Sequence, residues 1–299
     1  MTKFPIALRS AWLFLLLLPA ASSLARSADH LPLPVMDLQR FSGHWHQLAW
    51  LPVDFQRKCA RQGEVRYVPR PDEGFDLHRS CLDDEGRRLE DTAVVVPVPG
   101  APGSLQVRSA PRWRAWLPIG WERRWVVAVD PGYEWALVGS PDRDRLWVLS
   151  RQPTMDRLQL ASLVERVRVM GYPVEQLVFA PDAYAGEARR VPARLVVLTN
   201  EPFWQAQLQD DVLRLSGPGL PQARTLRVDM RRDMAVPGVQ RIVARDAHGE
   251  VVVQVATESC QDDMSGAWFP LRASLSIDGD APVRGCARPA NAPPPGEPR

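Results

Sequence analysis

The chain has 299 residues, 45% of them hydrophobic, with 11 tryptophans and a formal charge of +2. Lys3 and Arg9 fall in an apolar leader; without them the 37 basic residues become 35, against 35 acidic ones. That balance leaves no basic field for nucleic acid, and the length allows one large or two ordinary domains.

Residues 1–25 read as a secretory signal peptide. Lys3 and Arg9 form its charged start, Trp12 to Leu18 its apolar core, and Ser23-Leu24-Ala25 its small-residue cleavage site. The apolar run is too short to span a bilayer, and no later stretch approaches the length required. No cysteine lies near the cleavage point to carry a lipid, so a soluble periplasmic or secreted protein is expected. In such an oxidising compartment four cysteines, two in each half of the chain, should pair as Cys59–Cys81 and Cys260–Cys286. The alternative is four free thiols. No Cys-x-x-Cys spacing suggests a metal.

Eight strand-like segments come next, over residues 41–50, 64–68, 75–79, 89–96, 104–108, 125–129, 134–139 and 146–150. Turn chemistry separates them at 69–74, 97–103, 130–132 and 141–144. Tight turns between neighbouring short strands predict an up-and-down antiparallel meander. Cys59 and Cys81 flank the first hairpin. An amphipathic helix follows: Thr154 is the expected N-cap, Asp156 sits in the first turn, and Leu160, Leu163, Val164 and Val167 form one apolar stripe before Gly171. A last strand is expected within 174–179.

Residues 181–193 mix Pro, Ala, Gly and charge and read as a linker. From 194 to 287 only strands are apparent, over 195–199, 204–207, 212–215, 225–228, 239–244, 251–256 and 271–277. The Pro-rich 288–299 reads as a disordered tail. The fold class is therefore all-β: an eight-stranded up-and-down antiparallel meander within 30–180 with one helix after it, then a second, smaller β domain.

Three motifs carry a family resemblance. Gly43 and Trp45 stand in Phe41-Ser42-Gly43-His44-Trp45-His46-Gln47-Leu48-Ala49, Asp130-Pro131-Gly132-Tyr133 forms a late turn, and Arg151 closes Leu146-Trp147-Val148-Leu149-Ser150-Arg151. Together with the meander and helix, this pattern resembles the lipocalins, nearest their bacterial outer-membrane and apolipoprotein D-like group. His46 and Gln47 depart from that group's usual residues. The resemblance implies that Trp45 plugs the closed end of a barrel under the Arg151 guanidinium. It also implies a calyx for an amphiphilic lipid, a fatty acid or lysophospholipid, with no cofactor and no catalysis, and leaves contact with a membrane surface open.

Strand alternation would place Trp45, Gln47 and Ala49 on one inward face and Trp125, Val127 and Val129 on another. Tyr67, Trp125 and Trp135 are the expected lining aromatics, while Phe55, Trp116 and Trp121 sit in loops expected to frame the mouth. Arg112, Arg114, Arg123 and Arg124 are candidates to hold a carboxylate or phosphate head. His44 and His46 flank Trp45 and should point outward; a metal needs further ligands that the sequence does not name, so no metal site is expected.

In the second unit, Asn200-Glu201-Pro202-Phe203-Trp204 and Cys260-Gln261-Asp262-Asp263-Met264-Ser265-Gly266 resemble small META-like β domains of exported bacterial proteins. Asp262 and Asp263 are expected to be solvated. The competing functional reading places the activity here, as an envelope-interaction or hydrolase-inhibitor module whose protein partner the sequence does not name.

Overall fold

The computed structural model describes residues 30–53, 58–59, 61–71, 74–109, 120–184 and 189–295. A one-turn helix α1 (Leu38–Phe41) is capped by Asp37, whose carboxylate accepts from the Gln39 and Arg40 N–H groups. The meander follows as β1 (Gly43–Trp50), β2 (Arg61–Pro69), β3 (Phe75–Leu82), β4 (Arg88–Val98), β5 (Ala101–Arg108), β6 (Glu122–Val129), β7 (Trp135–Gly139) and β8 (Leu146–Ser150). Consecutive strands pair, and β1 pairs with both β8 and β2, which closes an eight-stranded antiparallel barrel. The two-residue β9 (Val178–Phe179) adds to the outside of β1.

Strands exposed on one face show the expected alternation. In β5, Leu105 and Val107 are buried while Gln106 is exposed. β8 does not alternate, because all five of its residues are buried. The Cys59–Cys81 bridge, with Cα atoms 5.5 Å apart, ties β3 to the segment before β2, as predicted.

Helix α2 (Arg157–Val169) starts later than Thr154. Asp156 is its N-cap, with Oδ1 accepting from the Gln159 N–H at 2.9 Å. The Asp156 carboxylate stands three residues before the Gln159 N–H, the N-cap to N3 spacing, whereas Thr154 lies two residues too early to reach it. Among the described residues no helix is long and apolar enough to cross a membrane.

The second unit is also a closed antiparallel barrel of eight strands. It runs β10 (Leu195–Thr199), β11 (Gln205–Gln209), β12 (Val212–Ser216), β13 (Arg224–Asp233), β14 (Val239–Arg245) and β15 (Glu250–Ala256). A small ribbon of β16 (Cys260–Gln261) and β17 (Trp268–Phe269) precedes β18 (Leu271–Ile277) and β19 (Val283–Pro289). β19 pairs with both β18 and β10 and closes the ring. Its sequence, Val283-Arg284-Gly285-Cys286-Ala287-Arg288-Pro289, is poor in β-branched residues, so it is not apparent as a strand from sequence. Pairing on both sides outweighs weak propensity, and the strand carries ordered chain past the expected start of the tail at 288. The Cys260–Cys286 bridge, Cα to Cα 5.6 Å, fastens the small ribbon to β19.

At one end of this barrel Arg224 ties the turn after β14 to the turn after β18. Its guanidinium binds both oxygens of Asp246, at 2.8 and 3.0 Å, and reaches Asp278 at 2.8 Å. These bonds, with the His248 and Gly249 N–H groups, hold the Asp246 carboxyl well below its ordinary pKa. A carboxyl depressed in the folded state adds stability that is complete above its unfolded pKa of about 3.9 and fades as pH falls toward the folded value. Asp246→Asn should therefore lower the melting temperature at pH 7, and the gap to the unsubstituted protein should narrow below about pH 4. Melting curves of both proteins from pH 7 to pH 3 test this; a constant gap would sink it.

The barrels are not beads on a string. The stripe Leu160, Leu163, Val164 and Val167 of α2 shares one buried core with the first barrel and with Val236, Val239 and Ala256 of the second unit. Arg157, fully buried, stacks on the Tyr184 ring at 3.9 Å and donates to the Pro237 carbonyl at 2.8 Å. Its backbone N–H donates to Glu258 at 3.0 Å. Arg272 bridges back to Asp156 at 2.9 Å, and Arg232 meets Glu165 at 3.5 Å.

Candidate functional site

At the base of the first barrel the Trp45 indole is completely buried, and its Nε1–H donates to the Phe41 carbonyl at 2.8 Å. The Arg151 guanidinium carbon lies 3.6 Å from the centroid of that ring. Arg151 Nη1 donates to the His44 carbonyl at 2.6 Å, and Nη2 to the Arg40 and Ser42 carbonyls at 2.7 and 2.9 Å. One planar cation thus covers the indole and satisfies the carbonyls where α1 runs into β1. Gly43 sits at φ +93°, a backbone conformation costly for other residues, and a Cβ there would stand 3.5 Å from Arg151 Nη1. Tyr133 accepts Arg40 over its ring at 4.3 Å, and its hydroxyl accepts from the Asp37 N–H at 2.8 Å. Asp130 shapes the turn by accepting from the Gly132 N–H at 2.7 Å. These groups form the closed end.

Above Trp45 the interior narrows to a cavity of about 30 Å³. That is room for on the order of two water molecules. Val65, Leu77, Leu105, Val107, Val138 and Leu149 give it apolar walls, and Gln47, Tyr67, Arg79, Arg124 and Trp147 complete the lining. Arg124, only 7% exposed, lies over the Trp147 ring at 4.3 Å and donates from Nη2 to Glu122 at 2.6 Å. Its buried Nε–H has no acceptor among the described residues. Burial pulls the Arg124 pKa down, against the pull of Glu122. Burial likewise opposes charge on Glu122, yet the bonds from Arg124 and Arg145 hold that carboxyl below its ordinary value. Arg79 is paired with Asp91 and donates to Ser109 Oγ at 3.0 Å. Burial pushes the Tyr67 hydroxyl up to about 12, so it stays a neutral hydrogen-bonding group.

The predicted lining is partly redistributed. Tyr67 faces the cavity, edge-on to Phe41 and Phe75 at 4.9 and 5.7 Å. Trp125 does not. It is paired across the sheet with Gly139, where a Cβ would collide with the Tyr172 hydroxyl on the outer wall. Trp125 packs there against His30, with ring centroids 5.0 Å apart, and His30 bonds the Tyr172 hydroxyl at 2.7 Å. Trp135 is also outside: it aligns with Ser150, which aligns with His46, neighbour to the inward Trp45. Trp121 is half-buried beneath Arg108, whose guanidinium is 4.5 Å from the ring, and does not line the cavity. Arg123 is exposed. Phe55, Arg112, Arg114 and Trp116 lie outside the described residues.

Two bulges explain the errors of face. Between Gln47 and Ala49 the register of β1 against β8 shifts, so Gln47 remains inward but Ala49 aligns with Val148 and Phe179 on the outside. Between Val126 and Ala128 a second shift places Trp125 and Val129 on opposite faces. An extra residue reverses every side chain beyond it, and nothing in the residue types announces that. Trp147 and Arg79 were missed for a different reason. β8 is apolar on both faces, so its inward residues cannot be separated by pattern, and Arg79 is one arginine among many.

In the second barrel the two signature segments meet: Asn200 Nδ2 donates to Asp262 at 2.9 Å. Asp262 is a loop anchor, accepting the Ser265 N–H and hydroxyl at 2.7 and 2.6 Å, which lowers its pKa. Phe203 and Met264 on these loops, and Trp268 on β17, are exposed.

A closed antiparallel barrel with an apolar interior and a stacked Trp–Arg base defines a small-molecule-binding class of β protein. Residues 36–182 match the family model described as a lipocalin-like domain. The fold is similar to insecticyanin from the tobacco hornworm Manduca sexta (17% identity, 51% of this chain and 84% of that one, TM-score 0.40). It is also similar to lipocalin 12 from rat epididymis (14%, 50% and 88%, TM-score 0.41) and the cockroach allergen Per a 4 (11%, 53% and 94%, TM-score 0.39). No curated protein matches the sequence.

Proposed function

We propose that the protein is a non-catalytic binding protein that takes a single-chain anionic amphiphile, such as a fatty acid or lysophospholipid, into the first barrel. It works in an exported, oxidising compartment, a reading supported by the signal-like leader and the two disulfides. The observation that carries the proposal is the buried Arg124 guanidinium, which borders an apolar cavity with one N–H unspent. A carboxylate or phosphate arriving there gains a charge-assisted hydrogen bond, while the apolar walls take its chain. The cavity is too small for the chain as it stands, so binding requires wall side chains to rotate. Trp147, in the wall, reports that rearrangement.

The test is a titration of the full chain with dodecanoate and dodecanol, read by tryptophan fluorescence. Dodecanoate should bind more tightly by roughly ten- to a hundredfold, the worth of one hydrogen bond to a charged group. Arg124→Met should erase that preference while leaving dodecanol binding in place. Absence of saturable binding for either ligand would overturn the proposal.

A further inference from the structure

Outside the barrel, and unconnected with its cavity, three potential ligands converge. His44 and His46 are two apart on β1, so with Trp45 inward both imidazoles project from the outer face. Their rings stand edge to face with centroids 4.7 Å apart. β2 supplies the third group. Glu64 is the direct cross-strand partner of His46 and places Oε2 3.7 Å from His44 Nε2. One ligand atom from each of the three residues lies within 4.8 Å of the others, and all three are partly open to solvent.

We infer that His44, His46 and Glu64 form a surface binding site for a borderline divalent transition metal ion, of which Zn²⁺ is the natural test. The donor set selects the metal class: two imidazoles disfavour Mg²⁺ and Ca²⁺, which take oxygen, and suit Zn²⁺ or Cu²⁺. At metal–ligand bonds of about 2.0–2.1 Å, tetrahedral ligand atoms stand about 3.3 Å apart. Modest side-chain rotation closes the remaining gaps. The backbone need not move, because β1 is paired on both sides, with β2 and β8. Three protein ligands leave a fourth position open, the arrangement of a site that exchanges water or an outside ligand. That position borders a cleft of about 400 Å³ in which Arg66 can meet an anionic co-ligand, while Arg88 beside it is paired with Glu90 and donates to Ser80 Oγ at 3.0 Å.

The cysteines do not compete, since all four are in disulfides. Of the other histidines, His30 lies against Tyr172 and His248 in the turn held by Asp246, while His78 lines the same cleft on β3, separated from His44 by Arg66 of β2.

The experiment uses the full, tag-free chain after chelator treatment, titrated calorimetrically with Zn²⁺ in a non-coordinating buffer. One equivalent should bind with a Kd of about 1 µM or tighter. His44→Ala, His46→Ala and Glu64→Gln should each weaken binding at least about tenfold, since even outer-shell partners of metal ligands carry 10- to 100-fold. His248→Ala should leave it unchanged. Glu64→Gln is isosteric and half-exposed, so its effect is read on an intact fold, checked by circular dichroism. Co²⁺ should produce the intense visible bands of a four-coordinate site, lost in the double His44→Ala, His46→Ala variant. No saturable Zn²⁺ binding below about 100 µM, or full affinity in the double variant, overturns the inference.

Discussion

Arg151→Ala should lower the stability of the protein by about 3 kcal/mol, from lost charge-assisted hydrogen bonds of roughly 1.5–3 kcal/mol each and a stacking contribution of about 1 kcal/mol, partly offset by water. In melting temperature this is a fall of roughly 6–12 °C. The side chain covers the Trp45 ring and binds the carbonyls of Arg40, Ser42 and His44. Its removal leaves those acceptors to water at the seam between α1 and β1. Arg151→Lys should recover only part of the loss. An ammonium keeps the charge but neither lies flat on the indole nor reaches three carbonyls together. Thermal denaturation of the three proteins decides the matter; an alanine variant that melts with the parent would show the stack to be without consequence.

Arg157→Ala should uncouple the two barrels. The side chain is fully buried, stacked on Tyr184 and bonded to the Pro237 carbonyl, so its loss leaves both a cavity and a buried acceptor unsatisfied. The cost is on the order of 3–5 kcal/mol, from a buried acceptor left unpaired (about 1–3 kcal/mol) together with the cavity opened beside Tyr184. Because Arg157 opens the helix that packs Val236, Val239 and Ala256 of the second unit onto the first barrel's core, the loss falls on the interface more than on either barrel. Calorimetry should show one cooperative transition for the parent and two for the variant, and trypsin should cut faster at Arg189 or Arg190. Arg157→Met, which refills the volume without the hydrogen bond, should fall between. A single transition and unchanged proteolysis in the alanine variant would mean that the apolar stripe alone holds the barrels together.

Both residues show how far a reading of the chain reaches. Arg151 is visible in the sequence because its motif lies at the end of the eighth strand, a fixed count after Gly43 and Trp45. Arg157 is not. In sequence it is a charged residue in the first turn of an amphipathic helix, which ordinarily faces water. It is buried because a second barrel, whose position no local pattern encodes, packs over that turn.

The candidate sites divide in the same way. The outward pair His44 and His46 follows from the alternation beside Trp45, but their third companion required the register of β1 on β2, where His46 meets Glu64. Arg124 was one arginine among several; only its burial beside Trp147 sets it apart from the exposed Arg123.

What the sequence by itself determined was the strand order of the first barrel, the following helix, the stacked base and both disulfide pairings. The strand order and helix rest on turn residues and apolar periodicity, the pairings on two cysteines in each half of the chain, and the stacked base on the resemblance carried by Gly43, Trp45 and Arg151. What the tertiary structure decided was which face each aromatic takes, how the second sheet closes through β19, and what meets across strands and between barrels. These depend on bulges, register and long-range packing, whose energies arise only when distant segments are brought together.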